Sequence, residues 1–169
     1  MFTKNDIEKY FVAEKQQSFL FIIMGVASVI IALVFFVCKQ EAFYAGAAVP
    51  PAFIGLLMLV VGVIVYRRSD EDRKQIVYAY DLNPSMIKEI EIPRMKKVMK
   101  NFVHYRNVEI FLFILGWTFF IYLFKADSFI FLKGLGLSLA IMAAITLVAD
   151  YFAALRGKKY LAGLTAFVG

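Results

Sequence analysis

Along this chain apolar and polar residues segregate into blocks rather than mixing at the spacing of a soluble fold. Four apolar runs stand out: Ser18–Cys38, Tyr44–Tyr66, Val108–Phe124 and Phe129–Leu155. The first two carry no charge. Each is long enough to approach or exceed the thickness of a ~30 Å hydrocarbon core as a helix. The pattern predicts an all-α integral membrane protein with four transmembrane helices arranged as two hairpins, and with interfacial helices on the cytoplasmic side.

Between the runs lie segments of a different character. Residues 1–17 put Ile7, Tyr10 and Phe11 on one face, with Thr3 as a cap and Asp6 three positions on. This reads as a cytoplasmic amphipathic helix. In hairpin 1, residues 18–66, Pro50-Pro51 places the start of the regular second helix near Pro50 and makes residues 42–49 an irregular lead-in. Residues 67–107 form a cytoplasmic helical segment. Ser69 and Asp72 read as a helix start, Asn83-Pro84 as a second, and Ile92-Pro93 as a break before a third. From Pro93 onward Met95, Val98, Met99, Phe102 and Val103 recur at helical spacing, with Lys96, Lys97 and Lys100 on the other side. That helix is either interfacial or an extension of the third span. Hairpin 2 occupies residues 108–155, with a tight turn at 125–128, and residues 156–169 form a cytoplasmic tail.

Two stretches resemble each other. FVAEKQQSFLFIIMG (Phe11 to Gly25) and FVHYRNVEIFLFILG (Phe102 to Gly116) each lead from polar residues into an outward run. They occupy equivalent places in two hairpins of the same orientation, as in a parallel repeat. The abundance of phenylalanine and the shared topology explain the likeness more simply than common descent does.

Composition agrees with the pattern. Hydrophobic residues make up 62% of the 169, against about 45–50% in soluble domains. The net charge of +6 raises nucleic acid as a partner, but the basic residues flank apolar runs and no nucleic-acid motif occurs. Their asymmetry sets orientation. Sixteen of them lie in the segments before, between and after the hairpins, and three at the opposite ends. By the positive-inside rule both termini are cytoplasmic, in a plasma or bacterial inner membrane. The first run is read as a retained span and not as a cleaved signal.

Candidate chemistry is sparse. The single cysteine, Cys38, excludes an internal dithiol centre. One histidine leaves no His-rich metal site, and neither a nucleophile elbow nor a glycine-rich phosphate loop is present. No enzyme activity, cofactor or metal is expected. Ionisable residues near spans are the default functional candidates. His104, Arg106, Glu109 and Asp150 come to similar depth at the cytoplasmic mouth and form a candidate polar cluster, with Arg106 placed to pair with Glu109. Arg94, Lys96, Lys97 and Lys100 form a candidate surface for a partner or for lipid. Ser28, Thr118, Ser138 and Thr146 are read as packing hydroxyls. The expected function is a multi-pass membrane protein without catalytic activity that binds a protein partner, as an accessory or immunity-type subunit, or that forms homo-oligomers. The rival reading is a small oligomeric transporter or channel.

Overall fold

A computed structural model describes residues 2–38, 41–124 and 127–169. No strand occurs among them. The long helices are α1 (Lys4–Cys38) and α2 (Ala42–Leu82). A one-turn α3 (Pro84–Met86) runs into a π-helical turn, Ile87–Glu91. Then come α4 (Ile92–Tyr122), a 3₁₀ turn Asp127–Phe129 and α5 (Ile130–Val168). The rest of the expected 125–128 turn, and the side chain of Cys38, lie outside the described residues.

Three helices, α1, α2 and α5, are long and apolar enough to cross a membrane. Their outer faces carry exposed large apolar side chains such as Leu33, Phe53 and Val148, which suits contact with lipid. The fourth expected span is the shorter case. Beyond Glu109 the apolar part of α4 is Ile110–Tyr122. At 1.5 Å per residue that is about 20 Å, short of a ~30 Å core.

Three expected boundaries are corrected. Residues 42–49 are helical, and Pro50 and Pro51 lie inside α2. The two missing N–H groups leave the carbonyls of Gly46 and Ala47 without their usual donors, a cost that tertiary packing can offset. That packing is present: Gly46, Ala47, Ala48, Pro50 and Pro51 are all buried. Nor does a helix start at Ser69, because α2 runs through to Leu82. The Ser69 hydroxyl instead donates to the Phe11 carbonyl oxygen at 3.0 Å. Around it Lys15 pairs with Asp70, and Arg68 lies 4.0 Å from Glu14. This segment therefore docks α1 against α2. Nor does Ile92-Pro93 break the chain: the π-helical turn runs directly into α4, whose first turn holds Pro93, where a missing N–H costs least. Thr3 and Asp6 bond as a cap, Asn83 ends α2, and Pro84 sits in the first turn of α3, as the sequence suggested.

Glycines set the helix approaches. Gly25 of α1 faces Gly55 and Leu59 of α2, and Gly116 of α4 faces Gly136 and Ala140 of α5. The last residue of each look-alike stretch thus makes the same contact in its own hairpin. Both pairs are antiparallel. Ser18 lies by Gly62 and Phe11 by Ser69 in the first, and Met99 by Gly157 in the second. The hairpins join where α2 crosses α5. A Cβ on Gly46 would lie 1.9 Å from the Phe131 carbonyl oxygen, and one on Gly134 would lie 1.9 Å from that of Phe43. This contact is reciprocal, built from Phe43-x-x-Gly46 on one side and Phe131-x-x-Gly134 on the other.

At the opposite end the helices pack into a body with its own core. Ile7, Phe11, Ile76, Ile87, Met95 and Leu164 are each at most 4% exposed. The apolar face of residues 1–17 is therefore buried in protein, where the sequence suggested a membrane surface. It belongs to one continuous helix with the first span.

Substituting Gly46 or Gly134 by Ala should lower stability by about 1–3 kcal/mol, since backbone must move to admit each methyl. Unfolding titrations in mixed detergent micelles measure it, and unchanged stability in both variants would contradict the reciprocal crossing.

Candidate functional site

Two polar features lie where the helices leave their apolar stretches. The first is a clasp within the helical body, beyond those stretches. Glu91 ends the π-helical turn, which shifts the side-chain register from that of a regular helix. Its side chain is 2% exposed. Arg94, one turn on, donates from Nε to Glu91 Oε2 and from Nη2 to Oε1, both at 2.7 Å. The Tyr160 hydroxyl of α5 donates to Oε1 at 3.0 Å. The Tyr10 ring of α1 stacks on Tyr160 with centroids 4.0 Å apart and planes 4° from parallel. Its hydroxyl donates to Glu14 Oε1 at 3.3 Å.

The electrostatics follow from burial. Burial by itself works to lower the Arg94 pKa, but the bonds to Glu91 and its charge outweigh that and hold the guanidinium above its ordinary value. Burial, followed by the charge of Glu91, pushes the Tyr160 phenol up, so it remains a proton donor. Both Glu91 oxygens are satisfied by a bidentate pair and a third donor, an arrangement that fixes geometry, while Arg94 Nη1 is buried without a partner among the described residues.

The second feature is a crevice of about 640 Å³. On one side stands α2, with Leu57 and Val61, and on the other α4, with Tyr105 and Val108. The back is formed by α5 and the inner half of α1. Leu57 is 50% exposed and Tyr105 49% exposed, although both line the crevice. It therefore opens sideways between α2 and α4. The wall is mostly apolar, and its ionisable groups gather towards the helical body: Glu14, Arg68, His104, Glu109, Asp150 and Arg156.

The candidate polar cluster is partly assembled. His104, Glu109 and Asp150 share the crevice wall, and Glu109 and Asp150 are close enough for their charges to interact. Arg106 is exposed, does not line the crevice and forms no ion pair among the described residues. Glu109 Oε2 is buried without a hydrogen-bond partner. The expected Arg106–Glu109 pair is therefore absent: one side chain faces outwards while the other faces the crevice. Of the candidate basic surface, Lys96, Lys97 and Lys100 are exposed, whereas Arg94 is held by Glu91. The hydroxyls of Thr118, Ser138 and Thr146 donate to carbonyls three or four residues back, as packing hydroxyls do.

Glu91, Tyr160, Tyr10 and Glu14 are absent from the sequence-based candidates. The three-residue spacing of Glu91 and Arg94 was the available local signal. Nothing local marks Tyr160 as their partner. Among the described residues no group of His, Cys, Asp or Glu is placed to hold a metal ion.

Replacing Glu91 by Ala should destabilise the protein by about 3–5 kcal/mol, because it strands a buried guanidinium. Tyr160→Phe should cost about 1–3 kcal/mol. In a double-mutant cycle the two effects should fall short of additive, and additivity would show that the clasp is not one unit. The sequence matches no known protein family, no curated protein and no solved structure.

Proposed function

We propose that the chain is a non-catalytic multi-pass membrane protein that binds a protein partner through the lysine face of α4. The observation that carries this reading is a basic face on a rigid support. Lys96, Lys97 and Lys100 are exposed, while Met95 on the same helix is fully buried and Arg94 is clamped. Like charges on a fixed backbone favour an acidic protein surface, since binding then orders the lysine side chains but no backbone. The partner is then an acidic cytoplasmic protein or the acidic edge of a membrane protein, with this chain as an accessory or immunity-type subunit.

In this reading α4 crosses the bilayer as the fourth span, paired with α5 as α1 is with α2. Its short apolar part is completed by the residues that follow Tyr122 and by tilt or local thinning of the bilayer. The lysine and arginine bias puts the helical body and both termini in the cytoplasm. The crevice favours a second reading, a small transporter, because it is a ligand-sized space at a helix junction. Its mostly apolar wall and sideways mouth suit binding from the bilayer better than an aqueous path.

Cross-linked pull-down from native membranes tests the first reading. Wild type should capture a specific protein, and Lys96→Glu, Lys97→Glu, Lys100→Glu together should lose it. Equal capture by both, or ion flux in liposomes with no capture by either, would overturn it. Orientation is tested apart from function. In a Cys38→Ser background, cysteines at Glu41 and Lys158 should react with an impermeant maleimide from opposite sides of the membrane. Labelling from the same side would refute the topology.

A further inference from the structure

We infer that the crevice between α2 and α4 binds a lipophilic monocation that enters sideways from the bilayer. The occupant follows from the shape of the space and the order of its charges. The volume of about 640 Å³ is that of a small-molecule site. Its mouth is flanked by half-exposed apolar side chains, Leu57 and Val61 facing Tyr105 and Val108. A ligand dissolved in the membrane reaches it without crossing water.

Charge decides the head group. Arg68 is matched by Glu14 at 4.0 Å and by Asp72 at 3.8 Å. Glu109 and Asp150 have no ion-pair partner among the described residues, and one oxygen of Glu109 is buried without a hydrogen bond. An apolar site with unmatched acids at its edge recognises a single positive charge attached to an apolar body, and the tyrosine and phenylalanine rings on its wall, Tyr10, Phe21, Phe102 and Tyr105, suit the same charge.

Order along the helix argues against a phospholipid. Arg156, the remaining cation of the wall, lies six residues beyond Asp150 on α5, which is about 9 Å towards the helical body. The acids are thus nearer the apolar end and the arginine farther from it. A phospholipid has the reverse order, its phosphate next to the chains, and would set that phosphate against Glu109 and Asp150. Arg156 also disfavours a second positive charge on the ligand. The inference concerns binding alone and stands whether or not the lysine face of α4 has a protein partner.

The test uses two ions of nearly the same shape and opposite charge, tetraphenylphosphonium and tetraphenylborate. Radiolabelled forms are equilibrated with the full chain in phosphatidylcholine nanodiscs, with empty nanodiscs as blank. Tetraphenylphosphonium should bind saturably at about one per chain, and tetraphenylborate should not exceed the blank. The double change Glu109→Gln, Asp150→Asn should weaken binding by about tenfold or more. Leu57→Trp, which fills the mouth from a half-exposed position, should weaken it similarly, while Leu56→Trp, beside it and outside the crevice, should not. Retained helicity and a single gel-filtration peak are required of each variant, and the tryptophan pair keeps the test open if the acid variant fails to fold. Saturable tetraphenylborate in place of the phosphonium, no saturable binding of either, or phosphonium binding unchanged by both crevice variants would each overturn the inference.

Discussion

The arrangement of the helical body depends on one buried carboxylate. A charge as enclosed as that of Glu91 costs several kcal/mol unless it is paired and hydrogen-bonded. Arg94 and Tyr160 supply three donors to its two oxygens. They come from the first turn of α4 and from the far part of α5, so matching the charge fixes both helices against the π-helical turn. Tyr10, stacked on Tyr160, brings in α1. Around this polar centre the apolar residues of α1, α2, the π-helical turn, α4 and α5 close a common core. The network sets the direction of α4 where it leaves the body, and hence the separation of α4 from α2 that defines the crevice.

At the other end backbone proximity takes over from charge. The reciprocal contact of Gly46 and Gly134 joins the two hairpins as a local two-fold would, and each hairpin repeats one glycine contact, at Gly25 and at Gly116. The registers do not agree. Gly46 precedes Gly55 by nine residues, whereas Gly134 precedes Gly136 by two. The difference is about two helical turns. The hairpins are therefore alike in parts and displaced as wholes. One consequence is visible beside α5. There α1 reaches the helix, with Gln17 donating to the Ala149 carbonyl oxygen at 2.8 Å, while α4 makes no comparable approach to α2. The crevice is the unfilled counterpart of that contact.

Helical class and three membrane-length helices were legible in the block pattern, because long uncharged runs have few alternatives in either lipid or water. The cap at Thr3 and the Asn83-Pro84 boundary between α2 and α3 were legible because their signals are local. What was not legible depended on partners distant in sequence. Pro50-Pro51 looked like a helix start because the cost of proline inside a helix is local, while the packing that offsets it comes from α5. Ser69 looked like a cap because the partners of its hydroxyl, Phe11 and Glu14, lie more than fifty residues away. For the site, depth along the helices grouped His104, Glu109 and Asp150, and all three line the crevice. Azimuth did not follow from depth, so Arg106 was wrongly grouped with them. Arg94 looked like one more surface cation because nothing local marks Glu91 as a buried charge.

The stacking of Tyr10 on Tyr160 also constrains biogenesis. Membrane insertion proceeds from the first helix onward, so α1 is in place before most of the chain exists. Its inner end, with Ile7 and Phe11, has no native surface to cover it until α2, α4 and finally α5 have been made. For the whole interval of synthesis between residues 10 and 160 that apolar face must rest on the lipid head-group region or on an insertion factor. Docking of α1 on α5 therefore waits for residue 160. A chain that stops before Tyr160 leaves Glu91 short of one donor and Phe11 without one of its ring contacts.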